Sequence, residues 1–294
     1  MVFVKQKNSL ILGAGGSLGS MLRRNLRVKK QDSIFFQSRF YSKGVSFVWD
    51  LGSSQFSELK SFITKNNIKK IVMLYGGRAG AVVNDDVELQ LIESCFETFY
   101  HAEVEKVLVA SSAAIYAPNI FEVYSETDKV SLDSLYQKKK VNLELLGKRY
   151  SYNFKDLCLL RFGNVLGADS LTKLYVQAEN HDFIVNRYSN GFLKRSYLSP
   201  SSLAYVMGEL LDTKNSLPDI LNVTTYKELY MDEIMYGLGI SFEEKHINEK
   251  GRNVLLDTTL LESIISLPQK YKNSSFAIED LMLYKSWVRG QGSD

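Results

Sequence analysis

The chain has 294 residues, 45% of them hydrophobic and 23% charged, and its 36 basic and 33 acidic residues leave a formal net charge of +3. That is the make-up of an ordinary soluble globular protein with enough chain for one large or two modest domains. A charge so close to balance gives no argument for a nucleic-acid or membrane partner, and no apolar run reaches membrane-spanning length.

The start, Met1-Val2-Phe3-Val4-Lys5, does not read as a signal peptide. The first strong element follows it. Ser9-Leu10-Ile11-Leu12 reads as a strand, Gly13 through Gly19 as a tight glycine turn, and Met21, Leu22, Asn25 and Leu26 as the start of a helix. In that arrangement backbone N–H groups and a positive helix end meet a phosphate. Gly13 allows the sharp turn, Gly16 the close approach of a pyrophosphate, and Gly19 the packing of helix on strand. The basic residues Arg23, Arg24, Arg27, Lys29 and Lys30 read as the wet face of this helix, and no aromatic interleaving suggests RNA.

Ser33–Gln37 reads as a second strand and Ser46–Trp49 as a third, with a helix over Ser57–Asn66 and an apolar strand over Ile68–Leu74. A helix from Asp85 to about His101 would bury Val87, Leu91, Ile92, Cys95, Phe96 and Phe99. Lys106–Ala110 is the next strand, Ser134–Tyr150 the next helix and Leu157–Phe162 a further strand. Apolar strands alternating with helices predict a doubly wound, Rossmann-type α/β fold with a parallel sheet covered on both faces. Ligands then lie beyond the carboxyl ends of the strands, where Gly13–Gly19, Ser111-Ser112 and Gly163-Asn164 fall. From about Ala168 the alternation loosens into a smaller mixed α/β cap. The expected division is 1–167 with about 196–222 for the dinucleotide domain, and about 168–195 with 223–294 for the substrate-binding cap.

Cys95 and Cys158 sit in apolar context and read as reduced core thiols of a cytoplasmic protein. His101, His181 and His246 lack metal-ligand spacing, so no metal is expected. Tyr136 and Lys140 stand one turn apart on one helix face, and Gly147 on the same helix suggests close packing against a neighbour. The run Lys138-Lys139-Lys140 would ordinarily be a solvated face. Ser111-Ser112 upstream, at a strand end, gives the pair a chemical context.

Together these segments resemble the extended short-chain dehydrogenase/reductase family, also called the NAD-dependent epimerase/dehydratase family. Gly13, Gly16, Ser17, Leu18 and Gly19 are similar to its dinucleotide loop, and Asp50-Leu51 to the acidic position that meets the adenine. Tyr75-Gly76-Gly77 matches the small-residue turn after the fourth strand, and Asn84 a position beyond it. Val109–Tyr116 looks like the serine motif and Tyr136-Gln137-Lys138-Lys139-Lys140 like Tyr-x-x-x-Lys. Leu160–Gly167, Gly191–Leu198, Leu221-Asn222-Val223 and Leu256–Thr259 match later segments. By this resemblance Ser112 would bond the substrate oxygen, Tyr136 would exchange its proton, and Lys140 would hold the nicotinamide ribose and acidify Tyr136. Phe162 would line the cofactor. A cation about 4 Å away at an effective dielectric of about 20 favours phenolate by about 4 kcal/mol, or about 3 pKa units. Ala113, Arg78, Asn164 and Arg195 would face the substrate, with Arg195 on the diphosphate of a nucleotide-sugar and Arg187 and Lys194 nearby in sequence.

The departures narrow the reaction. Phe36-Gln37-Ser38-Arg39 lacks the acidic residue of NAD-preferring relatives. Gln37 therefore removes repulsion toward a 2′-phosphate that Ser38 and Arg39 would bind, which favours NADP over NAD. Ala113-Ala114 replaces the acidic pair of dehydratases, which argues against dehydration. The stretch from Gly167 to Arg195 is short for a nucleotide-sugar enzyme, and Ser201-Ser202 stands where Asp-Asp is usual. The expectation is a homodimeric NAD(P)-dependent sugar-nucleotide oxidoreductase or epimerase, with ketone reduction slightly favoured. The alternatives are a 4-epimerase retaining NAD, or a non-catalytic NAD(P)-binding regulator, which would have no need of Ser112, Tyr136 and Lys140 together.

Overall fold

The computed structural model describes residues 7–26, 34–53, 55–75, 85–118, 122–177 and 182–290. The first half runs β1 (Asn8–Leu12), α1 (Ser17–Leu26), β2 (Ile34–Ser38), β3 (Phe47–Val48), α2 (Phe56–Lys65), β4 (Ile68–Met73), α3 (Asp85–His101), β5 (Lys106–Ser112), β6 (Val123–Tyr124), α4 (Leu135–Tyr150) and β7 (Asp156–Phe162). The remainder comprises β8 (Asn164–Val165), α5 (Thr172–Gln177), β9 (Phe183–Tyr188), β10 (Gly191–Phe192), β11 (Lys194–Leu198), α6 (Pro200–Asp212), β12 (Ile220–Val223) and β13 (Tyr226–Tyr230), then α7 (Met231–Gly237), β14 (Phe242–Ile247), β15 (Leu255–Leu256), α8 (Thr259–Ile264) and α9 (Ser274–Gly290).

Seven parallel strands form the main sheet in the order β12-β7-β5-β4-β1-β2-β3. The strand order reverses between β1 and β4, which makes the crevice beyond their carboxyl ends the ligand position of a doubly wound sheet. Successive side chains of a strand point to opposite faces, and both faces are apolar here. Ile11, Val72, Leu108 and Leu160 pack on one side with α1, α6 and α9. Leu10, Leu12, Val107, Val109 and Leu159 pack on the other with α2, α3 and α4. A Cβ on Gly147 of α4 would lie 2.9 Å from Leu159, so that glycine lets the helix sit down on the sheet. Cys95 and Cys158 are free, buried thiols whose burial pushes their ionisation well above the usual range.

The rest of the chain adds two three-stranded sheets, β10-β9-β14 and β13-β11-β8, and the pair β15-β6. Helix α6 begins with Ser199 as N-cap, Pro200 at its first position and a reciprocal Ser199–Ser202 capping box. The serines that stand where two aspartates were expected therefore start a helix, and Asp280 of α9 accepts the Ser201 N–H at 2.7 Å. No helix among the described residues is long and apolar enough to cross a membrane.

Two expectations need correction. Val87, in the first turn of α3, is exposed, because the cover supplied by α2 and α4 begins further along the helix. Arg24 is not a wet residue of α1, since its guanidinium lies 5.9 and 5.8 Å from the rings of Tyr284 and Trp287 on α9. Arg23 donates to Ser42, and Arg27, Lys29 and Lys30 lie outside the described residues. In the lysine run only Lys138 is exposed. Lys139 is largely covered beside Glu88, and Lys140 is buried at 5% exposure.

Candidate active site

The glycine turn is built by its neighbours on both flanks. Gly13 adopts φ +84°, and its N–H donates to Gln37 Oε1 at 2.9 Å. A Cβ on Gly19 would stand 2.4 Å from Ala14 Cα and 2.5 Å from Gly13 O, so no other residue fits there. Gly16 differs, since a Cβ there would meet only Gly13 O within 4 Å, at 3.5 Å. The main chain at Gly16 thus faces open space, a cradle suited to a phosphate next to the N-terminus of α1. Ser17 opens that helix and Leu18 packs partly into the core.

At the end of β2, Gln37 was expected to border the cofactor as a neutral residue that does not repel a 2′-phosphate. It is fully enclosed instead, its amide spent on Gly13, Tyr75 and the Trp49 carbonyl. Ser38 is nearly buried, and Arg39 is exposed with its guanidinium 5.0 Å from the Phe40 ring. Asp50 is exposed and accepts the Gly52 N–H at 3.3 Å, while Leu51 packs partly against the core. Tyr75 follows β4. Gly76, Gly77, Arg78 and Asn84 lie outside the described residues.

The hydroxyl-bearing residues converge at the carboxyl end of β5. Ser112 is the last residue of β5 and lies in register with Phe162, itself buried at the end of β7. Its Oγ accepts the Ala114 N–H at 3.2 Å, and its side chain lies near enough to Tyr136 to favour the ionised phenol. Tyr136 is placed by the start of α4. Ser134 caps the helix and shares a capping box with Gln137, whose Nε2 donates to the Ala114 carbonyl at 2.9 Å. One turn on, Lys140 Nζ donates to the Ala110 carbonyl of β5 at 3.0 Å. Ser-x-x-Gln before a helical pattern is the sequence signal for Gln137, a positioning residue that the motif reading passed over.

The electrostatics differ in sign from the expected acidified phenol. Burial raises the Tyr136 pKa, and the neighbouring Ser112 side chain acts against it. The Lys140 charge is not among the causes of the Tyr136 shift, and burial draws its own ammonium down to about 8 against the attraction of Glu88 and Glu144. Behind the pair lies a buried polar network. Arg161 donates to both oxygens of Glu144, at 3.0 and 2.8 Å, and Ser111 Oγ donates to Glu144 Oε1 at 2.6 Å. Glu144 follows Lys140 by one turn and Ser111 precedes Ser112, so this network fixes α4 against β5.

Next along the chain from Ser112, Ala113 is buried against Tyr116, Tyr124 and Leu256. Tyr116 and Tyr124 stack at 4.9 Å, with the Arg161 guanidinium 4.8 Å from the first ring and the Arg252 guanidinium 5.5 Å from the second. The Tyr116 hydroxyl donates to Asn222 Oδ1 at 2.6 Å. Arg195 Nη1 donates to the carbonyls of Lys194 and Arg252, at 2.8 and 2.6 Å. Its pKa is lowered by burial, and the Arg252 charge adds to that effect. Asn164 opens β8 in register with Tyr197. Arg187 and Lys194 are engaged with Glu244 and Glu228, at 3.0 and 2.6 Å. Arg252, unsuspected from sequence, is the basic residue that joins Arg195. Among the described residues no group of His, Cys, Asp and Glu is arranged to hold a metal ion.

A doubly wound parallel sheet with a glycine turn at its switch point defines a Rossmann-type α/β protein. The model of the NAD dependent epimerase/dehydratase family matches residues 9–184, and the chain belongs to that family. Comparison with curated proteins gives no match. Among solved structures, MoeE5 in complex with UDP-glucuronic acid and NAD is similar at 20% identity and a TM-score of 0.74, over 96% of this chain and 99% of that one. The UDP-Glc/GlcNAc 4-epimerase from Campylobacter jejuni is similar at 18% identity and a TM-score of 0.76, over 96% and 100%. The NAD-dependent NDP-hexosamine 5,6-dehydratase TunA, involved in tunicamycin biosynthesis, gives 15%, 0.74, 96% and 98%.

Proposed function

We propose that this protein is an NAD(P)-dependent enzyme that transfers hydride at a hydroxyl or keto carbon of a nucleotide-sugar, with ketone reduction as its favoured direction. The observation that carries the reading is the docking of the first turns of α4 on the end of β5, where Gln137 bonds Ala114 and Lys140 bonds Ala110, so that Tyr136 stands beside Ser112. The glycine turn fits a dinucleotide, because Gly16 leaves room where a pyrophosphate needs it. Gly13–Gly19 would hold the diphosphate, Asp50 and Leu51 the adenine side, Lys140 the nicotinamide ribose, and Phe162 the edge of the nicotinamide site. When bound, the dinucleotide supplies or accepts the hydride.

The protein's own work is to orient the substrate oxygen and to move one proton. Ser112 Oγ holds the substrate oxygen beside the Tyr136 hydroxyl. A phenol pushed up by burial stays protonated at neutral pH, so Tyr136 is suited to give its proton to an alkoxide as it forms. That favours reduction. Epimerisation, which the name of the Campylobacter jejuni neighbour carries, is the second reading. It requires Tyr136 to take a proton first. Ala113 and Ala114 beside Ser112 offer no acid for water elimination, which disfavours dehydration.

Arg195 and Arg252 would face the substrate diphosphate, since guanidinium is suited to phosphate and neither makes an ion pair among the described residues. A neutral Gln37 followed by Ser38 and Arg39 favours NADP. We assign 1–167 with about 196–222 to cofactor binding and the remainder to a substrate cap, in a cytoplasmic homodimer paired through α3 and α4. The exposed Tyr100 and Leu145 on those helices support that pairing. Native mass spectrometry of the purified protein tests the reading. The expected result is a bound or readily loaded NADP or NAD together with retention of a nucleoside-diphosphate sugar. Failure to load either dinucleotide contradicts it.

A further inference from the structure

Dinucleotide-binding proteins of this architecture carry an acidic side chain at the end of the second strand, which accepts a hydrogen bond from the adenosine ribose. Here that place belongs to Gln37, and it is already filled from inside the protein. Gln37 Oε1 accepts the Gly13 N–H at 2.9 Å and the Tyr75 hydroxyl at 2.5 Å. A carbonyl oxygen has two lone pairs, and both are used. Nε2 donates to the Trp49 carbonyl, and the side chain has 0% exposure.

Tyr75 arrives from the opposite side of the glycine turn. It follows β4, whereas Gln37 ends β2, and β1 lies between those strands. Its ring rests on the turn, with Cε1 3.6 Å from where a Cβ of Gly13 would stand. The Tyr75 hydroxyl thus donates to the end of β2, as a ribose hydroxyl donates to the acidic residue of an NAD site. Burial is the main reason its ionisation lies far above the usual tyrosine range, so it remains a donor.

Resting on the NAD(P) reading above, we propose that the Tyr75 hydroxyl stands in for the adenosine ribose hydroxyl at Gln37, which makes Tyr75 a specificity-determining residue for the cofactor. An unphosphorylated ribose finds no open acceptor at residue 37. Recognition passes to Ser38 and Arg39, one and two residues on. Ser38 Oγ lies against the turn, 2.6 Å from where a Cβ on Gly15 would stand. Arg39 is exposed beside the site and acts on the Tyr75 phenol. Those groups suit a 2′-phosphate, and no carboxylate at residue 37 repels it. Discrimination therefore comes partly from withholding a hydrogen bond from NAD.

Calorimetric titration of NAD+ and NADP+ into the wild type, Tyr75→Phe and Tyr75→Ala tests this. Tyr75→Phe frees one lone pair of Gln37, and Tyr75→Ala also uncovers the amide. The expected result is an NADP+ preference in the wild type that narrows about three- to tenfold in Tyr75→Ala, through tighter NAD+ binding with NADP+ binding little changed, and narrows less in Tyr75→Phe, whose ring still covers Gln37. If in Tyr75→Ala both dinucleotides weaken together and their ratio stays within about twofold of the wild type, Tyr75 is only part of the wall and the proposal fails. If none of the three proteins binds either dinucleotide, the cofactor reading fails first and takes this proposal with it.

Discussion

Two buried lysines sit at opposite ends of one strand, and they are partnered differently. Lys106 opens β5 and donates to the Leu210 and Thr213 carbonyls at 3.0 and 2.9 Å, with Asp156 Oδ2 3.7 Å away. Those carbonyls belong to the C-terminal end of α6, where a cation is favoured. Lys140, near the other end of β5, has the Ala110 carbonyl as its one acceptor among the described residues. Its neighbour Glu144 is taken by Arg161 and Ser111. Burial lowers the pKa of both ammonium groups. An ammonium has three donors. Lys106 has two carbonyl acceptors and a carboxylate 3.7 Å away and closes a helix end, whereas Lys140 keeps donors in reserve beside Ser112 and Tyr136. A buried charge with few partners at a ligand edge is a mark of function.

Lys140→Met is the sharpest way to break that comparison. It is expected to lower kcat about 10²- to 10⁴-fold, read by steady-state turnover, whereas Lys106→Met leaves kcat close to wild type. Lys106→Met is expected instead to destabilise the fold by about 3 kcal/mol, because Asp156 loses its counter-charge inside the protein. Denaturant unfolding measures that loss. An equal loss of kcat in the two variants would erase the distinction drawn between the two ends of the strand.

Smaller changes sharpen it. With Lys140 titrating at about 8, kcat/KM is expected to fall above about pH 8 as the ammonium is lost. Glu144→Gln keeps the side chain's size, but it turns one acceptor of the Arg161–Ser111 network into a donor and removes an attraction that raises the Lys140 pKa. The alkaline limb should then move to lower pH, with about a tenfold loss of activity at pH 8.

Stability shows the smallest effect and the opposite sign. The folded pKa of Lys140 lies below its unfolded value of 10.5. Below about pH 8 both states are protonated and the burial penalty is fully present; between about pH 8 and 10.5 it is relieved as pH rises. That penalty is about 3 kcal/mol, offset in Lys140→Met by about 1–2 kcal/mol for the unpaired Ala110 carbonyl. The variant should be about 1–2 kcal/mol more stable than wild type at pH 7 while being the less active protein.

What was legible in the sequence follows the same divide. Helix α3 could be placed from Asp85 to His101 because Ile92, Cys95, Phe96 and Phe99 recur at helical spacing and are all buried. Ser112, Tyr136 and Lys140 could be named because a strand end and a one-turn spacing are local signals. The enclosure of Gln37 was not legible, since it depends on Tyr75, a residue 38 positions away across another strand. Glu144, Arg161 and Arg252 carried no local pattern either, because their partners are supplied by other elements. The upward shift of Tyr136 was missed for a related reason. Spacing tells which cation is near, but burial, which decides the sign, is a property of the packed chain.

The most direct test of the central claim is the turnover of Tyr136→Phe on the nucleotide-sugar that the wild type converts, measured at saturating dinucleotide. The expected result is a kcat lower by about 10²- to 10⁴-fold with the dinucleotide Kd within about threefold of wild type, since the ring remains and only the proton donor is gone. A kcat equal to that of the wild type would show that another group moves the proton, and the role assigned to Ser112, Tyr136 and Lys140 would be wrong.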